Sequence, residues 1–268
     1  MFPDFFNVMP GELPAAKPRS DVSAGGKKPF VLSVGGSLFV NDEIDTDFVL
    51  ALRDSIAKLS GEGYRFALVV GGGKPARTYV EAGKRLHVSN YVLDELGITI
   101  TRANAALVAT ALPDSHNQVA LSIPQAQKWF DAGRIPVLGG LLPGFTTDAV
   151  GALLAEALEG TFVNLSTTEG IFDADPKKSP NAKRFKELSF ERLFLLAAAQ
   201  PAEPSQSFFL DLPAAVILKR SKIPAIFVHG HHLDMFENAV RGLDFVGTRV
   251  NQSEPGLDAG LDGLESIE

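Results

Sequence analysis

The chain has 268 residues, of which 45% are hydrophobic and 21% charged, proportions that exclude fibrous and wholly disordered classes. Acidic residues outnumber basic ones and give a net charge of −7, which argues against a nucleic-acid polymer as partner. No cysteine is present, and no apolar run approaches the roughly 18 residues of a membrane span, so disulfides, cysteine-bound zinc and a membrane partner are not expected.

The chain opens on a segment without a regular pattern. Residues 1–29 mix Pro, Gly, Ser and Lys with neither helical nor strand period, and we expect a mobile N-terminal extension. Phe2, Phe5 and Phe6 form an apolar cluster in it that could dock on the body of the protein or on a neighbour. Because the opening lacks a positive leader and an apolar core, we expect no secretion and a cytoplasmic location.

Residues 30–250 repeat one unit, a short apolar run followed by a glycine-rich turn and a stretch of helical period. An apolar run without alternation is typical of a strand buried on both faces. The predicted strands are residues 30–34, 66–70, 135–138, 161–165, 225–228 and 247–250.

Helical patterns lie between these strands. Apolar residues three or four apart predict a helix after the first strand, and further helices are expected over about 147–158 and from a capping Asp211 to Arg220. This order predicts an α/β protein, a three-layer αβα sandwich around a mostly parallel sheet, with its ligand site at the carboxyl ends of the strands. Residues 251–268, acidic and rich in glycine, are expected to form a C-terminal tail.

Glycine-rich loops follow three of the predicted strands, at residues 35–37, 71–73 and 139–140. Such a loop can present backbone N–H groups to an anion, although one loop alone serves tight turning equally well. Three of them at one sheet edge favour a polyphosphate site. Since none fits the P-loop or dinucleotide-binding pattern, the site must be of another kind.

Charged and hydroxyl side chains stand at the start of two helices beside these loops. Lys74 and Arg77 occupy a first helical turn, where cations oppose the helix dipole and favour a bound phosphate; a solvated surface pair is the alternative. Thr146, Thr147 and Asp148 begin another helix. Their types suit phosphate binding, and helix capping accounts for them equally well.

Six motifs recur in a fixed order: Gly35-Gly36-Ser37; Gly71-Gly72-Gly73-Lys74 with Ala76-Arg77; Asp94 with Gly97-Ile98; Thr101-Arg102-Ala103-Asn104-Ala105; Pro143-Gly144 with Thr146-Thr147-Asp148-Ala149-Val150; and Ala174-Asp175-Pro176-Lys177-Lys178. In this order they resemble the amino acid kinase superfamily, in particular the archaeal-type uridylate (UMP) kinases, over about residues 30–250. The resemblance implies transfer of the γ-phosphoryl group from ATP, with Mg²⁺, to UMP by a homohexamer.

The resemblance also implies a role for each matching residue. Those that would bind ATP are Gly35, Gly36, Ser37, Gly72, Arg77, Ser166, Phe172 and Asp175. Those that would bind UMP are Gly71, Asp94, Gly140, Leu141, Leu142, Pro143, Gly144, Phe145 and Thr146. Asp148 and Arg77 would act at the transfer centre, and no residue is assigned to a metal.

Several nucleotide-facing positions depart from the family's pattern. Ser33 stands where many members have Lys, two residues before the double glycine. Leu141 and Leu142 replace a polar pair, Phe145 replaces a His, and Phe172 lacks the hydroxyl of the usual Tyr. These departures leave three alternatives open: a UMP kinase of weakened activity, a kinase for another small acceptor such as a carboxylate, carbamate or phosphonate, and a catalytically silent nucleotide-binding or storage protein.

Because regular patterning begins at residue 30, we expect removal of residues 1–29 to leave the fold and nucleotide binding intact. Circular dichroism and titration with an ATP analogue, run on the full and shortened chains, test this. Loss of soluble, folded protein on truncation would contradict it.

Overall fold

The computed structural model describes residues 28–115, 117–174, 176, 179, 181–199 and 209–251. The N-terminal extension up to residue 27, Asp175 of the predicted ATP site and the tail from residue 252 lie outside the described residues.

A single mostly parallel sheet runs through the described part of the chain, as predicted. Its strands are β1 (Phe30–Val34), β2 (Phe66–Val70), β3 (Val119–Ala120), β4 (Val137–Leu138), β5 (Thr161–Ser166), β6 (Glu187–Ser189), β7 (Ala225–His229) and β8 (Gly247–Asn251). Their spatial order is β3-β4-β2-β1-β5-β7-β8-β6, and the β7–β8 pair alone among these strands is antiparallel.

Helices cover both faces of this sheet. They are α1 (Thr46–Gly61), α2 (Gly73–Arg85), α3 (Asn90–Ala111), α4 (Ile123–Asp131), α5 (Thr147–Ala157), α6 (Phe190–Ala198), α7 (Leu212–Arg220) and α8 (Leu233–Arg241). The core against one face includes α1, α3 and α8, the core against the other includes α4 to α7, and α2 packs on α3. The predicted three-layer sandwich is therefore confirmed. None of the described helices is both long and apolar enough to cross a membrane.

Burial on both faces explains why the strands lack alternation. All five residues of β1 are buried: Val31 joins the core beneath α5, while Leu32 and Val34 join the core beneath α1 and α3. The third predicted strand, residues 135–138, is a strand only from Val137, because the Ile135 N–H donates to the Asp114 carbonyl outside the ladder. The short strands β3 and β6 escaped prediction, since two or three residues make no recognisable apolar run.

The glycine loops bring backbone against backbone at the carboxyl edge of the sheet. A Cβ on Gly36 would lie 2.5 Å from the Gly71 carbonyl oxygen, and a Cβ on Gly139 would lie 2.7 Å from the Arg102 backbone nitrogen. Neither neighbour is a flexible side chain that could move aside. The loops after β1 and β2 can therefore meet, and the loop after β4 can approach α3, only because these positions carry no side chain.

We expect Gly36→Ala to lower the free energy of unfolding by about 1–3 kcal/mol or more, because the added methyl forces two loops apart. Gly61→Ala is the matched control: nothing lies within 4 Å of a Cβ at the end of α1, so its change should stay within about 0.5 kcal/mol. Urea unfolding measures both. Equal midpoints for the two variants would contradict the crowding argument.

Candidate functional site

The predicted site residues converge where β1, β2, β4 and β5 end. The Gly35 N–H donates to the Leu165 carbonyl at 2.8 Å, and the Gly71 N–H donates to the Val34 carbonyl at 2.9 Å. These bonds continue the β1–β5 and β1–β2 ladders into the loops. The first two glycine loops are thus extensions of the sheet, positioned as rigidly as the strands that precede them.

The first two glycine loops present backbone donors and one cation. Gly36 and Gly73 each stand at the first position of a helical segment, where backbone N–H groups have no partner within the helix and can donate to an anion. Arg77 donates from Nη1 to the Ser37 hydroxyl at 3.2 Å, which brings two predicted ATP-site residues together. Lys74 pairs instead with Asp42, so its charge is already compensated within the protein.

Helix α3 holds the loop of residues 140–146, which the resemblance assigns to UMP. The Gly140 N–H donates to the Thr101 hydroxyl at 2.7 Å, and Arg102 Nε donates to the Gly140 carbonyl at 3.1 Å. At the far end the Gly144 N–H donates to Asp94 Oδ2 at 2.8 Å. Three of the predicted UMP residues, Asp94, Gly140 and Gly144, therefore share one hydrogen-bonded unit.

The side chains of Leu141 and Leu142 leave the polar backbone contacts of this loop in place. Leu141 is partly buried and packs against the core on the α5 side, while its carbonyl lies 3.5 Å from Arg102 Nη2. The side chains of Leu142 and Phe145 are 59% and 38% exposed, and Pro143 between them is half-buried. The loop is thus held through its backbone, with two large apolar side chains facing solvent.

Asp148, in the first turn of α5, is held by two strands. Thr146 caps this helix by accepting from the Ala149 N–H at 3.1 Å. One oxygen of Asp148, Oδ1, accepts hydrogen bonds from the Ser33 hydroxyl at 2.5 Å and from Asn164 Nδ2 at 3.0 Å. The start of α5 is therefore both a capped helix terminus and part of the candidate site.

The environment of Asp148 shifts its charge towards neutrality. The pKa of Asp148 is raised to about 7, chiefly by burial and also by the neighbouring Asp211 carboxylate, while the bonds from Ser33 and Asn164 oppose the rise. Burial also raises the pKa of Asp211, which caps α7 and accepts from the Thr146 hydroxyl at 2.5 Å. Within the described chain neither carboxylate forms an ion pair. Carboxylates with such shifts are concentrated at functional sites.

The predicted adenosine-side residues lie along the loop after β5. Ser166 ends β5, and its carbonyl accepts from the Gly230 N–H at 2.8 Å. The loop closes on β8, where the buried Thr248 hydroxyl accepts from the Ile171 N–H at 2.9 Å. Phe172 follows, half-buried, in an isolated bridge with Arg184. Ser166 therefore shares the sheet edge with Asp148, while Phe172 belongs to the outer part of this loop.

Sequence reasoning missed several residues that hold the site together. Asn104 donates to the Gly71 carbonyl at 2.9 Å, and Arg102 and Thr101 hold the third glycine loop, although all three were noted only as parts of a motif. Asn164 was not singled out at all. Its signal was available, since it is a polar residue inside an apolar strand.

Comparison with known proteins gives a consistent result. Residues 28–229 match the model of the amino acid kinase family. A uridylate kinase of Methanocaldococcus jannaschii is 39% identical over 203 residues, 75% of this chain and 90% of that protein; one of Natronomonas pharaonis is 38% identical over 226 residues, 84% and 99%. The crystal structure of uridylate kinase from Archaeoglobus fulgidus superimposes with a TM-score of 0.74 at 33% identity, covering 83% of this chain and 99% of that one.

The pKa of Asp148 has a consequence for stability. The pKa is raised in the folded chain, so the contribution of Asp148 to stability is complete below its unfolded value near 3.8 and is lost as the pH rises through about 7. Asp148→Asn removes this loss. We expect the substitution to increase the free energy of unfolding, relative to the unaltered chain, by about 2 kcal/mol more at pH 8 than at pH 5. Urea unfolding at both pH values checks this, and parallel pH profiles would contradict it.

Proposed function

The chain belongs to the amino acid kinase family and, within it, to the uridylate kinases, and from this premise we propose that it transfers the γ-phosphoryl group of ATP to UMP, giving ADP and UDP. The observation that carries the proposal is the placement of three glycine loops, Arg77 and Asp148 at one edge of the sheet. That edge offers backbone donors and a cation to two phosphorylated ligands placed side by side.

We place the ATP phosphates at the first two loops. Gly36 and Gly73 begin helical segments, whose first N–H groups have no partner within the helix and can donate to phosphate oxygens, and Arg77, already bonded to Ser37, adds a positive charge there. Phosphoryl transfer needs little covalent chemistry from the protein, because its loose transition state is stabilised by in-line placement and by neutralisation of charge. This arrangement supports both contributions.

We place UMP along the loop of residues 140–146, with Gly71 and Asp94 beside it. Asp94 uses Oδ2 to hold the Gly144 N–H, which leaves Oδ1 to accept from a ligand hydroxyl or N–H group. Leu142 is exposed and Leu141 packs on the core, so neither side chain need occupy the acceptor's place. Neither the fold nor the comparisons support the weakened activity that these substitutions suggested.

Mg²⁺ enters this proposal as part of the ATP substrate, where it supplies charge neutralisation on the phosphates. In the part of the chain that the structure describes, no group of three His, Asp or Glu side chains could hold a metal ion. The protein's own part is to position those phosphates through the loop N–H groups and Arg77.

We further propose that the chain works in the cytoplasm as a homo-oligomer, a hexamer by its resemblance to the family. The support is a large apolar exposure on the α2–α3 hairpin: the side chains of Tyr79, Leu86 and Tyr91 are more than half exposed. Apolar surface of this kind on neighbouring helices is typical of a protein interface.

The decisive experiment measures ADP formation from Mg–ATP with UMP, CMP, dCMP or no acceptor. We expect UMP-dependent turnover that falls at least about a hundredfold in Asp148→Asn, because the variant loses the partly buried carboxylate at the transfer centre. Asp54→Asn, on the exposed surface of α1, is the matched carboxylate-to-amide control and should be unchanged.

Each unexpected result has a definite meaning. Undiminished turnover in Asp148→Asn would remove the assigned role from Asp148. Absence of UMP-dependent turnover, with nucleotide binding retained, would instead favour the silent binding protein, and turnover with a different acceptor would replace UMP in the proposal.

A further inference from the structure

Asn164 is a polar residue in the centre of an apolar strand. It lies in β5 between Val163 and Leu165, both fully buried, and is itself only 4% exposed. Its side-chain oxygen Oδ1 has no hydrogen-bond partner among the described residues. A buried and unpaired amide oxygen destabilises a fold, so an aliphatic residue would serve the packing of β5 better. The presence of Asn here therefore requires another reason.

The register of the sheet supplies that reason. Ser33 of β1 is the direct partner of Asn164 on β5, and both are buried beneath α5. Both donate to the same oxygen of Asp148, Oδ1, while no described residue donates to its Oδ2. Two bonds from two neighbouring strands fix the orientation of the carboxyl group, and its second oxygen remains available.

We propose that Ser33 and Asn164 are a pair of positioning residues that hold Asp148 by one oxygen and present the other to the transfer centre. The inference rests on the proposed function, since it concerns how the same site is arranged. Neither residue touches a substrate in this account. Both act through Asp148, and the unpaired Asn164 oxygen is the cost of the donor that Asp148 receives.

The pair also governs the charge of Asp148. Hydrogen bonds donated to a carboxylate favour its ionised form, and two neutral donors favour it less than a cation would. Asp211 is the ionisable group that acts on Asp148 from the start of α7, and it opposes ionisation. The two donors therefore lower the pKa of Asp148, which burial and Asp211 raise, and their removal should move its titration to higher pH.

Four variants separate positioning from packing. Ser33→Ala and Asn164→Val each remove one donor, Asn164→Ala does so without added volume, and Ser33→Thr keeps the hydroxyl on a residue suited to a strand. Ser115→Ala is the matched control, because Ser115 is also a buried serine, but it lies beyond the end of α3 and its hydroxyl donates to the Ala109 carbonyl within that helix.

We expect kcat to fall about tenfold or more in each donor-removing variant, with KM for ATP and UMP within about threefold of the unaltered chain. The acid limb of the pH profile of kcat should move to higher pH in these variants. Ser33→Thr, which keeps the hydroxyl, should retain most of the kcat of the unaltered chain. Asn164→Val should melt no lower than the unaltered chain. Ser115→Ala should melt lower and keep its kcat.

The contrary results are equally clear. Unchanged kcat in Ser33→Ala and in both Asn164 variants would overturn the inference. It would also be overturned if kcat fell in proportion to the melting temperature and KM rose at the same time. If the unaltered chain shows no UMP-dependent turnover, the proposed function fails, and the pair is then judged without substrate. In that case carbon-13 NMR of the Asp148 carboxyl must show titration at higher pH in Ser33→Ala, and an unchanged titration overturns the pairing.

Discussion

The close approach of backbone to backbone at the ends of β1 and β2 is the constraint on which the site depends. Gly36 lies against the Gly71 carbonyl with no space for a Cβ, and the Gly71 N–H is bonded to the end of β1. This contact joins two loops into one surface of N–H groups. Because these groups belong to the sheet's own hydrogen-bonded framework, they need little reorganisation when an anion binds.

Helix α3 converts these separate loops into one unit. Asn104 holds the second glycine loop through the Gly71 carbonyl, while Thr101 and Arg102 hold the third through Gly140. These three residues lie within a single turn of one helix, so a displacement of α3 would move both loops together. The geometry between the proposed donor and acceptor sites is therefore set by a rigid element, which is what in-line transfer requires.

The site accepts a local loss of stability for its chemistry. Asp148 is half-buried with no ion pair in the described chain, beside a second carboxylate at Asp211 and above an asparagine with an unpaired oxygen. Each feature is unfavourable to folding. The large apolar cores on both faces of the sheet offset them, because burial is nearly complete in the strands β1, β2, β5 and β7. Conflict between local preference and function is typical of active sites.

The sequence by itself determined the layered fold and the edge at which the site lies. Unbroken apolar runs such as residues 30–34 mean burial on both faces, and the glycines that follow mark the carboxyl ends of parallel strands. The motifs added the family. The start of α5 was also readable, because Thr146 and Asp148 have the types that begin a helix.

Only the tertiary structure decided which polar groups meet. Ser33 lies 115 residues from Asp148 in the chain, and its contact with Asp148 and Asn164 follows from the β1–β5 register and the placement of α5. The same holds for Lys74, whose partner Asp42 lies in the loop before α1. Periodicity reports which face of an element is buried, but it carries no information on which elements are neighbours. A residue's partner, and with it its charge, is decided by that adjacency.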